Sequence, residues 1–388
     1  MKNKLVYICI MSLLLFVVGC SNNPNKESTI KKDSKNNQSQ VKEEKREPMK
    51  KDITISFAGD VTMGNYKGSS YYGSFDHEFK RQGEDYNYFL KNVKPVFEKD
   101  DLTVVNLEGP LTTASNAKEK KFAFKGKPGY VNILKSGSVE AVSIANNHSE
   151  DYFEEGMKDT QFILDENKIN YFGLGKDAVV DVKGIKVGLL GYNGLSTEYN
   201  EKNLKQMEDD IKSLKKKSDV VVVYFHWGIE LDYYPDKKQK DFAHYAIDKG
   251  ADLVMGSHPH VIQGIEKYKN KYIAYSLGNF CFGGNKNPSD TDSYIYQQTF
   301  TFSDNKLTSI KEPNIIPTSI TSSNSRNNYQ PKVLDGSEKD RVFKEPNIIP
   351  TSITSSNSRN NYQPKVLDGS EKDRVLNKLE KISKDLNK

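Results

Sequence analysis

The sequence is poor in cysteine, and the cysteines that it has cannot build a disulfide framework. Three occur among 388 residues: Cys9 lies within an apolar N-terminal run, Cys20 ends that run, and Cys281 stands alone in the C-terminal half. A small domain held together by several disulfides is therefore excluded. No catalytic arrangement of residues surrounds Cys281 in the sequence, so we predict a small buried side chain rather than a nucleophile.

The chain also has little net charge. Its 57 lysines and arginines against 52 aspartates and glutamates give a formal charge of +5. Neither a recognition-helix pattern nor a zinc-finger pattern is present, so the charge predicts an ordinary solvated surface and no nucleic-acid partner. A hydrophobic content of 36% is enough for a globular core.

The N-terminal apolar run, residues 5–18, is shorter than the ~20 residues of a membrane-spanning helix. Two lysines precede it, and it ends in Val17-Val18-Gly19-Cys20. This charged, apolar, small-residue order is typical of a signal peptide, and its end looks like a bacterial lipobox. We predict a lipoprotein signal over residues 1–20, with Cys20 acylated and the protein held on the outer face of the cell membrane. An uncleaved anchor or plain secretion is the alternative.

Residues 21–51 are mainly Asn, Ser, Lys and Glu, with almost no large apolar side chains. Such a segment cannot bury enough surface to offset the entropy of the chain. It is predicted to be a disordered linker that holds the folded part away from the membrane.

Residues 52–303 alternate between short apolar runs and amphipathic stretches, which predicts an α/β domain. The predicted strands are 52–58, 102–106, 139–145, 185–190, 220–225, 253–256, 272–276 and about 294–302. The predicted helices are 86–98, 153–166, 203–217 and 235–249.

Residues 304–388 are a predicted C-terminal extension that contains a perfect tandem repeat. Residues 311–342, called the first copy, are identical to residues 344–375, called the second copy. Two copies are too few for a solenoid, which needs at least ~3 repeats. Our hypothesis is that one copy docks on the domain and that the other is a loosely held insertion.

Polar residues of metal-ligand type follow several of the predicted strands. They occur in the segments Gly59-Asp60, Asn106-Leu107-Glu108, Asn146-Asn147-His148, His226-Trp227-Gly228 and Ser257-His258-Pro259-His260. Because the carboxyl ends of strands in an α/β sheet share one edge, we expect these side chains to converge. Carboxylate, amide oxygen and imidazole together favour Mn, Fe or Zn over Ca. Taken singly, each segment also fits a turn or a structural histidine.

Three residues carry more specific predictions. Pro259 is expected to keep the backbone extended, so that the rings of His258 and His260 point to the same side. Glu108 is placed to bridge two metals about 3.5–4 Å apart, the spacing used in phosphoester hydrolysis. His148, next to Asn147, is predicted to protonate a leaving group.

The motifs AGD, NLE, ANNH, HWG-x-E, GSHPHV and YSLGNF, in this order over residues 53–282, resemble the CapA family of poly-γ-glutamate capsule proteins. The resemblance implies an α/β fold of metallophosphoesterase type, a sandwich of two mixed β-sheets flanked by helices. It implies one or two divalent metals, held by Asp60, Glu108, Asn147, His226, His258 and His260, with His148 as the acid. Asn106, Glu230 and Asn279 are further candidates for binding substrate, although helix or turn capping explains Glu230 and Asn279 equally well.

The sequence departs from the phosphoesterase pattern in two places. Asp60 is followed by Val61-Thr62 instead of a histidine two residues on, and Asn106-Leu107-Glu108 replaces a Gly-Asp pair. Hydrolysis therefore does not follow from the fold. The resemblance implies a surface component of poly-γ-glutamate synthesis and export, beside a membrane-bound ligase complex. A metal-dependent phosphoesterase or polymer hydrolase and a non-catalytic polyanion-binding scaffold are the alternatives.

Lysines at positions 118, 120, 121, 125 and 127 surround Phe122 and Phe124. They either guide an anionic polymer to the protein or protect a solvated edge strand from aggregation. Both interpretations fit the sequence.

Overall fold

The computed structural model describes residues 49–343, 351–352 and 365–366, with side chains over residues 49–339. The predicted signal peptide, residues 1–20, and residues 21–48 of the predicted linker lie outside the described residues and stay predictions. The predicted end of the linker at residue 51 is wrong, because Lys50 and Lys51 pair with Ser303 and Phe302 in a β-sheet. Within the described residues, no helix combines the length and apolar character that crossing a membrane requires.

The strands of the described residues are β1 (Lys50–Thr62), β2 (Asn65–Tyr66), β3 (Leu102–Leu107), β4 (Phe124–Lys125), β5 (Ala141–Ser143), β6 (Asn170–Phe172), β7 (Ala178–Val182), β8 (Ile185–Asn193), β9 (Val220–His226), β10 (Leu253–Ser257), β11 (Ile265–Tyr268), β12 (Lys271–Ala274), β13 (Asn279–Phe282), β14 (Asp292–Ser303), β15 (Lys306–Ile310), β16 (Asn314–Ser319), β17 (Lys332–Val333), β18 (Thr351–Ser352) and β19 (Lys365–Val366). The helices are α1 (Phe75–Arg81), α2 (Lys94–Phe97), α3 (Val131–Ser136), α4 (Phe153–Glu166), α5 (Glu201–Lys215), α6 (Lys237–Lys249) and α7 (Gly336–Phe343), with a 3-10 helix at Pro128–Tyr130.

Two mixed β-sheets form the centre of the domain. The first has the order β17-β16-β14-β1-β3-β5-β6, with β13 also paired to β1 and β15 to β14. The second has the order β11-β12-β10-β9-β8-β7. The neighbours β1, β3 and β5 run parallel in the first sheet, as do β8, β9 and β10 in the second. The predicted α/β sandwich of two mixed sheets flanked by helices is confirmed.

The sheets pack face to face through apolar side chains, and successive side chains of a central strand point alternately to its two faces. Phe57 of β1 and Val222 and Tyr224 of β9 belong to one buried cluster between the sheets. Val221 and Phe225 point the other way, into a second cluster that the side chains of α5 and α6 complete. Burying each such side chain stabilises the fold by about 1.5–3 kcal/mol. A strand that is apolar on both faces is therefore the centre of a layered core.

The helices match the sequence pattern where the apolar periodicity is uninterrupted. α4 occupies the predicted range, and α6 begins two residues late because Asp236 caps it in a capping box with Gln239. The predicted helix over residues 86–98 is wrong, since only α2 is helical there. Pro95 is accepted in the first turn of a helix but not in its interior.

The first sheet continues beyond Ser303. β15, β16 and β17 come from the segment predicted to be a C-terminal extension, and they extend the sheet on the side of β14. The first copy of the repeat thus docks on the domain through β16. The second copy lies outside the described residues apart from β18 and β19.

Candidate metal centre

Strands of both sheets end at one place, and each brings a polar side chain there. Asp60 lies near the end of β1, opposite Asn106 of β3, and Glu108 follows β3 directly. In the second sheet, His226 ends β9, and His258 follows the parallel strand β10. The expected convergence is present, although it joins the edges of two facing sheets rather than a single edge.

Two glycines permit the close approach that places Asp60. A Cβ atom on Gly59 would lie 1.8 Å from the Gly278 carbonyl oxygen. The Asp60 N–H donates to the same oxygen at 3.0 Å, and Asp60 lies opposite Asn279 in the parallel pair of β1 and β13. Gly278 has a φ of +72°, in the left-handed region. The glycines of the AGD and SLGNF motifs therefore reflect a backbone contact that a side chain would block.

The completely buried Asp60 carboxylate is shared by both sheets. Its Oδ1 accepts a hydrogen bond from Asn106 Nδ2 at 2.8 Å and lies 3.9 Å from His226 Nδ1. Its Oδ2 accepts from the His258 N–H at 3.3 Å and lies 3.4 Å from His260 Nδ1. Burial alone raises the pKa of Asp60, but the His260 hydrogen bond and the histidine charges outweigh burial and lower it to about 2. Asp60 is therefore an ionised acceptor.

Glu108 is buried with one of its two oxygens unsatisfied. Oε2 accepts a hydrogen bond from Thr62 Oγ1 at 3.0 Å. Oε1 lies 3.6 Å from His226 Nε2 and 3.9 Å from His148 Nε2, and it has no hydrogen-bond partner among the described residues. Burial, together with the charge of Asp60, raises the pKa of Glu108 to about 6. An unsatisfied buried carboxylate oxygen is costly, so it points to a ligand as its partner.

His226 is completely buried between Asn106 and Asn147. Its Nε2 lies 2.8 Å from Asn147 Oδ1, and its Nδ1 lies 3.3 Å from Asn106 Nδ2 and 3.2 Å from Ser257 Oγ. Burial lowers the pKa of His226 well below its usual value. The ring is thus held neutral, which is the form of imidazole that binds metals.

The backbone around Pro259 is not extended, and this prediction is wrong. His258 and His260 have φ angles of +100° and +57°, so the segment curls through the left-handed region. Asn279 holds the curl, because its Oδ1 lies 2.9 Å from His260 Nδ1 and its Nδ2 donates to the His260 carbonyl oxygen at 3.1 Å. The two rings still lie near each other, with centroids 5.7 Å apart. Left-handed non-glycine residues of this kind cluster at functional sites.

The two histidines of this curl have opposite electrostatic environments. Burial and the charge of His260 lower the pKa of His258 to about 4. Burial also lowers the pKa of His260, but the carboxylates of Glu108 and Asp60 outweigh burial and raise it to about 9. His258 Nδ1 is buried, and no hydrogen bond to it occurs in the described part of the chain. His258 therefore presents a neutral ring with an unsatisfied nitrogen.

His148 lies beside Glu108 at the edge of the cluster. Its Nδ1 is 2.7 Å from Asp151 Oδ2, and its ring centroid is 4.6 Å from that of Phe124. A carboxylate at Nδ1 fixes the tautomer and orientation of the ring, which leaves Nε2 facing Glu108. Sequence reasoning missed Asp151, a completely buried residue that also pairs with Lys120. Its spacing of three residues from His148 is the signal that was available.

The ligand atoms of these side chains form three groups, and within each group they lie within 4.8 Å of one another. The groups are Asp60–Glu108–His260, Glu108–His226–His258 and Glu230–His258–His260. Buried carboxylates and imidazoles, with unsatisfied atoms on Glu108 and His258, suit a divalent cation. The cluster is thus compatible with a divalent metal.

A cavity of about 520 Å³ opens over this cluster. Two of the predicted substrate-binding residues, Glu230 and Asn279, line it together with His148 and His260. Glu230 is exposed. The third, Asn106, lies instead beneath the cluster, completely buried against Asp60 and His226. Asn106 is not among the residues that line the cavity, and its predicted contact with substrate stays a prediction.

Three of the five lysines in residues 118–127 contact carboxylate or carbonyl oxygens of the protein itself. Lys118 Nζ lies 2.9 Å from a Glu150 oxygen, Lys120 pairs with Asp151, and Lys125 Nζ donates to the Ala114 carbonyl oxygen at 2.6 Å. Phe122, on the wall of the cavity, is 38% exposed. Within this segment, Phe124 and Lys125 form the short strand β4, which pairs with β2.

Comparison with known proteins places most of this domain in one family. The sequence model described as "Bacterial capsule synthesis protein PGA_cap" matches residues 54–284. The matched range contains each of the six predicted metal ligands. The resemblance predicted from the motifs is confirmed.

Two Bacillus proteins are similar in sequence. The PGA biosynthesis protein CapA of Bacillus subtilis (strain 168) is 31% identical over 59% of this chain and 63% of its own length. The capsule biosynthesis protein CapA of Bacillus anthracis is 29% identical over 59% of this chain and 60% of its own length. The chain thus spans about three fifths of the length of these relatives.

Among solved structures, the chain is similar to purple acid phosphatase PPD1 from yellow lupin (Lupinus luteus). The TM-score is 0.30 at 10% identity, over 67% of this chain and 53% of the phosphatase.

Proposed function

The chain belongs to the bacterial capsule synthesis protein family PGA_cap, and from this premise we propose that it is a membrane-anchored component of poly-γ-glutamate synthesis or export that works with a divalent metal. The names of its two Bacillus relatives, a PGA biosynthesis protein and a capsule biosynthesis protein, support a role in the synthesis or export of an anionic polymer. The single structural observation that carries the metal is the pair of unsatisfied buried atoms, Glu108 Oε1 and His258 Nδ1.

The residues present fit a divalent cation by their chemistry. Two buried carboxylates face three imidazoles, and a cation would give each unsatisfied atom the partner that the described residues do not provide. The proposed ligands are Asp60, Glu108, Asn147, His226, His258 and His260, for one or two ions of Mn, Fe or Zn. Such an ion, when bound, polarises a substrate oxygen and lowers the pKa of water.

The remaining residues of the site orient the ligands and move a proton. Asn106 and Thr62 hold the two carboxylates by hydrogen bonds of 2.8 and 3.0 Å, and Asn279 holds His260. His148 is oriented by Asp151, and when both of its ring nitrogens are protonated it donates the Nε2 proton to the leaving group of a substrate in the cavity. This is the division of labour between ligands and supporting residues that metal sites require.

Membrane attachment is the second part of the proposal. Cys20 carries the acyl chains, and residues 21–49 hold the domain away from the outer face of the membrane. Metabolic labelling with a palmitate analogue tests this. We expect label and membrane association in the natural chain, and loss of both in Cys20→Ala. Unlabelled protein in the membrane fraction would contradict acylation.

One observation favours an alternative function, that of a metal-dependent phosphoesterase or polymer hydrolase. His148 Nε2 lies 3.9 Å from Glu108 Oε1, which places a proton donor within reach of anything bound to the cluster. Such a donor is needed for hydrolysis and is unnecessary for a scaffold. A non-catalytic scaffold that binds the polymer is the third candidate.

The test compares the purified natural chain with His148→Ala and with a control, His244→Ala. His244 lies outside the cluster, paired with Glu266 at 2.9 Å. Bound metal with phosphodiesterase turnover that His148→Ala abolishes and His244→Ala retains supports the hydrolase. Bound metal without turnover, together with loss of capsule on deletion of the protein, supports the synthesis component. A stable chain free of metal favours the scaffold and contradicts the metal centre.

A further inference from the structure

The tandem repeat has two identical copies but one docking position in the described structure. The first copy, residues 311–342, contributes β16, β17 and most of α7 to the domain, and the second copy, residues 344–375, repeats it without a substitution. What the domain recognises in the first copy is therefore present a second time in the same chain.

The first copy is held by specific side-chain contacts as well as by strand pairing. Arg326 binds both oxygens of the buried Glu78 carboxylate, at 2.8 and 3.0 Å. Asn328 Nδ2 donates to Tyr88 Oη at 3.0 Å, and Gln330 Nε2 donates to the Tyr88 carbonyl oxygen at 2.6 Å. A bidentate ion pair and paired amide groups fix the register of the docked segment.

Tyr329 is the apolar centre of this contact and is 1% exposed. Its hydroxyl donates to the Gly73 carbonyl oxygen at 2.6 Å, and its ring centroid lies 5.5 Å from that of Phe75. Its carbonyl oxygen accepts from the buried Cys281 thiol at 3.2 Å, as expected for a cysteine with a structural role. Tyr329 also lines the cavity over the metal cluster. The docked copy is thus part of the wall of that cavity.

The second copy has the same side chains 33 positions later, including Arg359 and Tyr362. Its two described strands also pair as in the first copy. Thr351 pairs with Val366, where Thr318 pairs with Val333. The adjoining pair, Ser352 with Lys365, likewise repeats Ser319 with Lys332. The local hairpin is therefore a property of the repeat sequence and does not require β14 as a neighbour.

We propose that the two copies are interchangeable, so that the second copy of the same chain takes the docking position whenever the first copy is damaged or displaced. Every contact described above is then available again, with Arg359 on Glu78 and Tyr362 on Gly73. Residues 311–343 become a loop between β15 and the newly docked copy. The entropic cost of closing a loop grows only with the logarithm of its length. The first copy is the usual occupant because it follows β15 directly.

The experiment introduces Tyr329→Ala into two backgrounds, the full chain and a chain that ends at Phe343. Removing a buried aromatic ring that nothing replaces should lower the Tm by roughly 5–10 °C in the shortened chain. In the full chain the fall should be less than half of that, because the second copy takes over. Adding Tyr362→Ala to the full chain should restore the large loss. An equal loss in both backgrounds would overturn the proposal.

Val93→Ala is the matched control, because Val93 is completely buried and has no counterpart in the repeat. It should cost the same in both backgrounds. A second variant covers the case in which the shortened chain fails to fold. Deleting residues 311–343 joins Ile310 to Lys344 and leaves the second copy alone, and its Tm should stay within ~2 °C of the full chain. An unfolded product would overturn the proposal. Light scattering should show a monomer throughout, whereas a dimer would indicate docking between two chains and overturn exchange within one.

Discussion

Glu78 and Glu108 are both buried carboxylates in the same domain, 2% and 1% exposed, yet their surroundings differ. Glu78 Oε2 accepts from Arg326 and Arg81, and Oε1 accepts from Arg326, Gln82 and Tyr88. Glu108 has a donor on one oxygen only, and its other oxygen has none among the residues that the structure describes. A completed polar network specifies how segments pack, whereas an incomplete one marks a place for a ligand. The Glu78 network therefore has a structural role, whereas the surroundings of Glu108 mark the candidate functional site.

Of the substitutions considered, Asp60→Asn should weaken metal binding most strongly. The substitution removes a buried negative charge that faces three histidines, so we expect metal affinity to fall by ~100-fold or more. Titration of Zn²⁺ or Mn²⁺ against a competing chelator measures the change. Glu78→Gln is the control and should retain the affinity of the natural chain. Equal affinity in the two variants would contradict the assignment.

Glu78→Ala should lower the stability of the protein without affecting metal binding. It leaves Arg326 without its carboxylate and three further donors unpaired, so the free energy of unfolding should fall by about 2 kcal/mol, allowing for the partial exposure of Arg326. Urea unfolding measures this loss, while the metal content should not change. A loss below about 0.5 kcal/mol would mean that the network contributes no more than a surface pair.

The effect of Glu108→Gln on the stability of the protein should have opposite signs with and without metal. In chelator the variant relieves the repulsion between Glu108 and Asp60 and should be more stable than the natural chain by about 1 kcal/mol. With saturating metal the order should reverse, because the natural chain gains more binding free energy. Thermal unfolding with and without metal reports both arms. The same sign in both conditions would count against a cation at Glu108.

Glu140 is a partly buried carboxylate that belongs neither to the Glu78 network nor to the metal cluster around Glu108. It accepts a hydrogen bond from the Thr103 N–H at 2.8 Å. Burial, with help from the charge of Asp100, raises its pKa from 4.5 to about 7. The native state therefore holds this proton more tightly than the unfolded state, and stability from this group is lost as the pH rises from about 5 through 7.

Glu140→Gln should accordingly be neutral near pH 5 and stabilising by about 1 kcal/mol at pH 8, allowing for solvent screening of a half-buried group. Urea unfolding at the two pH values checks the difference. A substitution effect that is independent of pH would contradict the raised pKa.

The sequence predicted those features that depend on local pattern. The range of α4 follows from its uninterrupted amphipathic period, and the convergence of Asp60 with His226 follows from their positions at strand ends. β13 was not predicted, because a short strand at Asn279–Phe282 exists only through its pairing with β1. The curl at His258 was not predicted either, since it depends on the distant Asn279.

Long-range strand pairing also carries the first sheet beyond the predicted end of the domain at residue 303. β15 and β16 carry too weak an alternation to be recognised from the sequence, and both lie against β14 in the first sheet. Asp151 was missed because a carboxylate in a turn has no periodicity, although its contact with His148 is one of the shortest in the site. Long-range pairing thus decides what local pattern leaves open.

The central claim is that six side chains from both sheets hold a cation. An anomalous diffraction map of the purified natural chain, recorded above the absorption edge of the metal found by elemental analysis, tests this most directly. We expect one or two peaks within about 2.0–2.3 Å of ligand atoms of Glu108, His226 and His258. Stoichiometric metal with its peak elsewhere on the protein, or ordered water alone at this place, would contradict the claim.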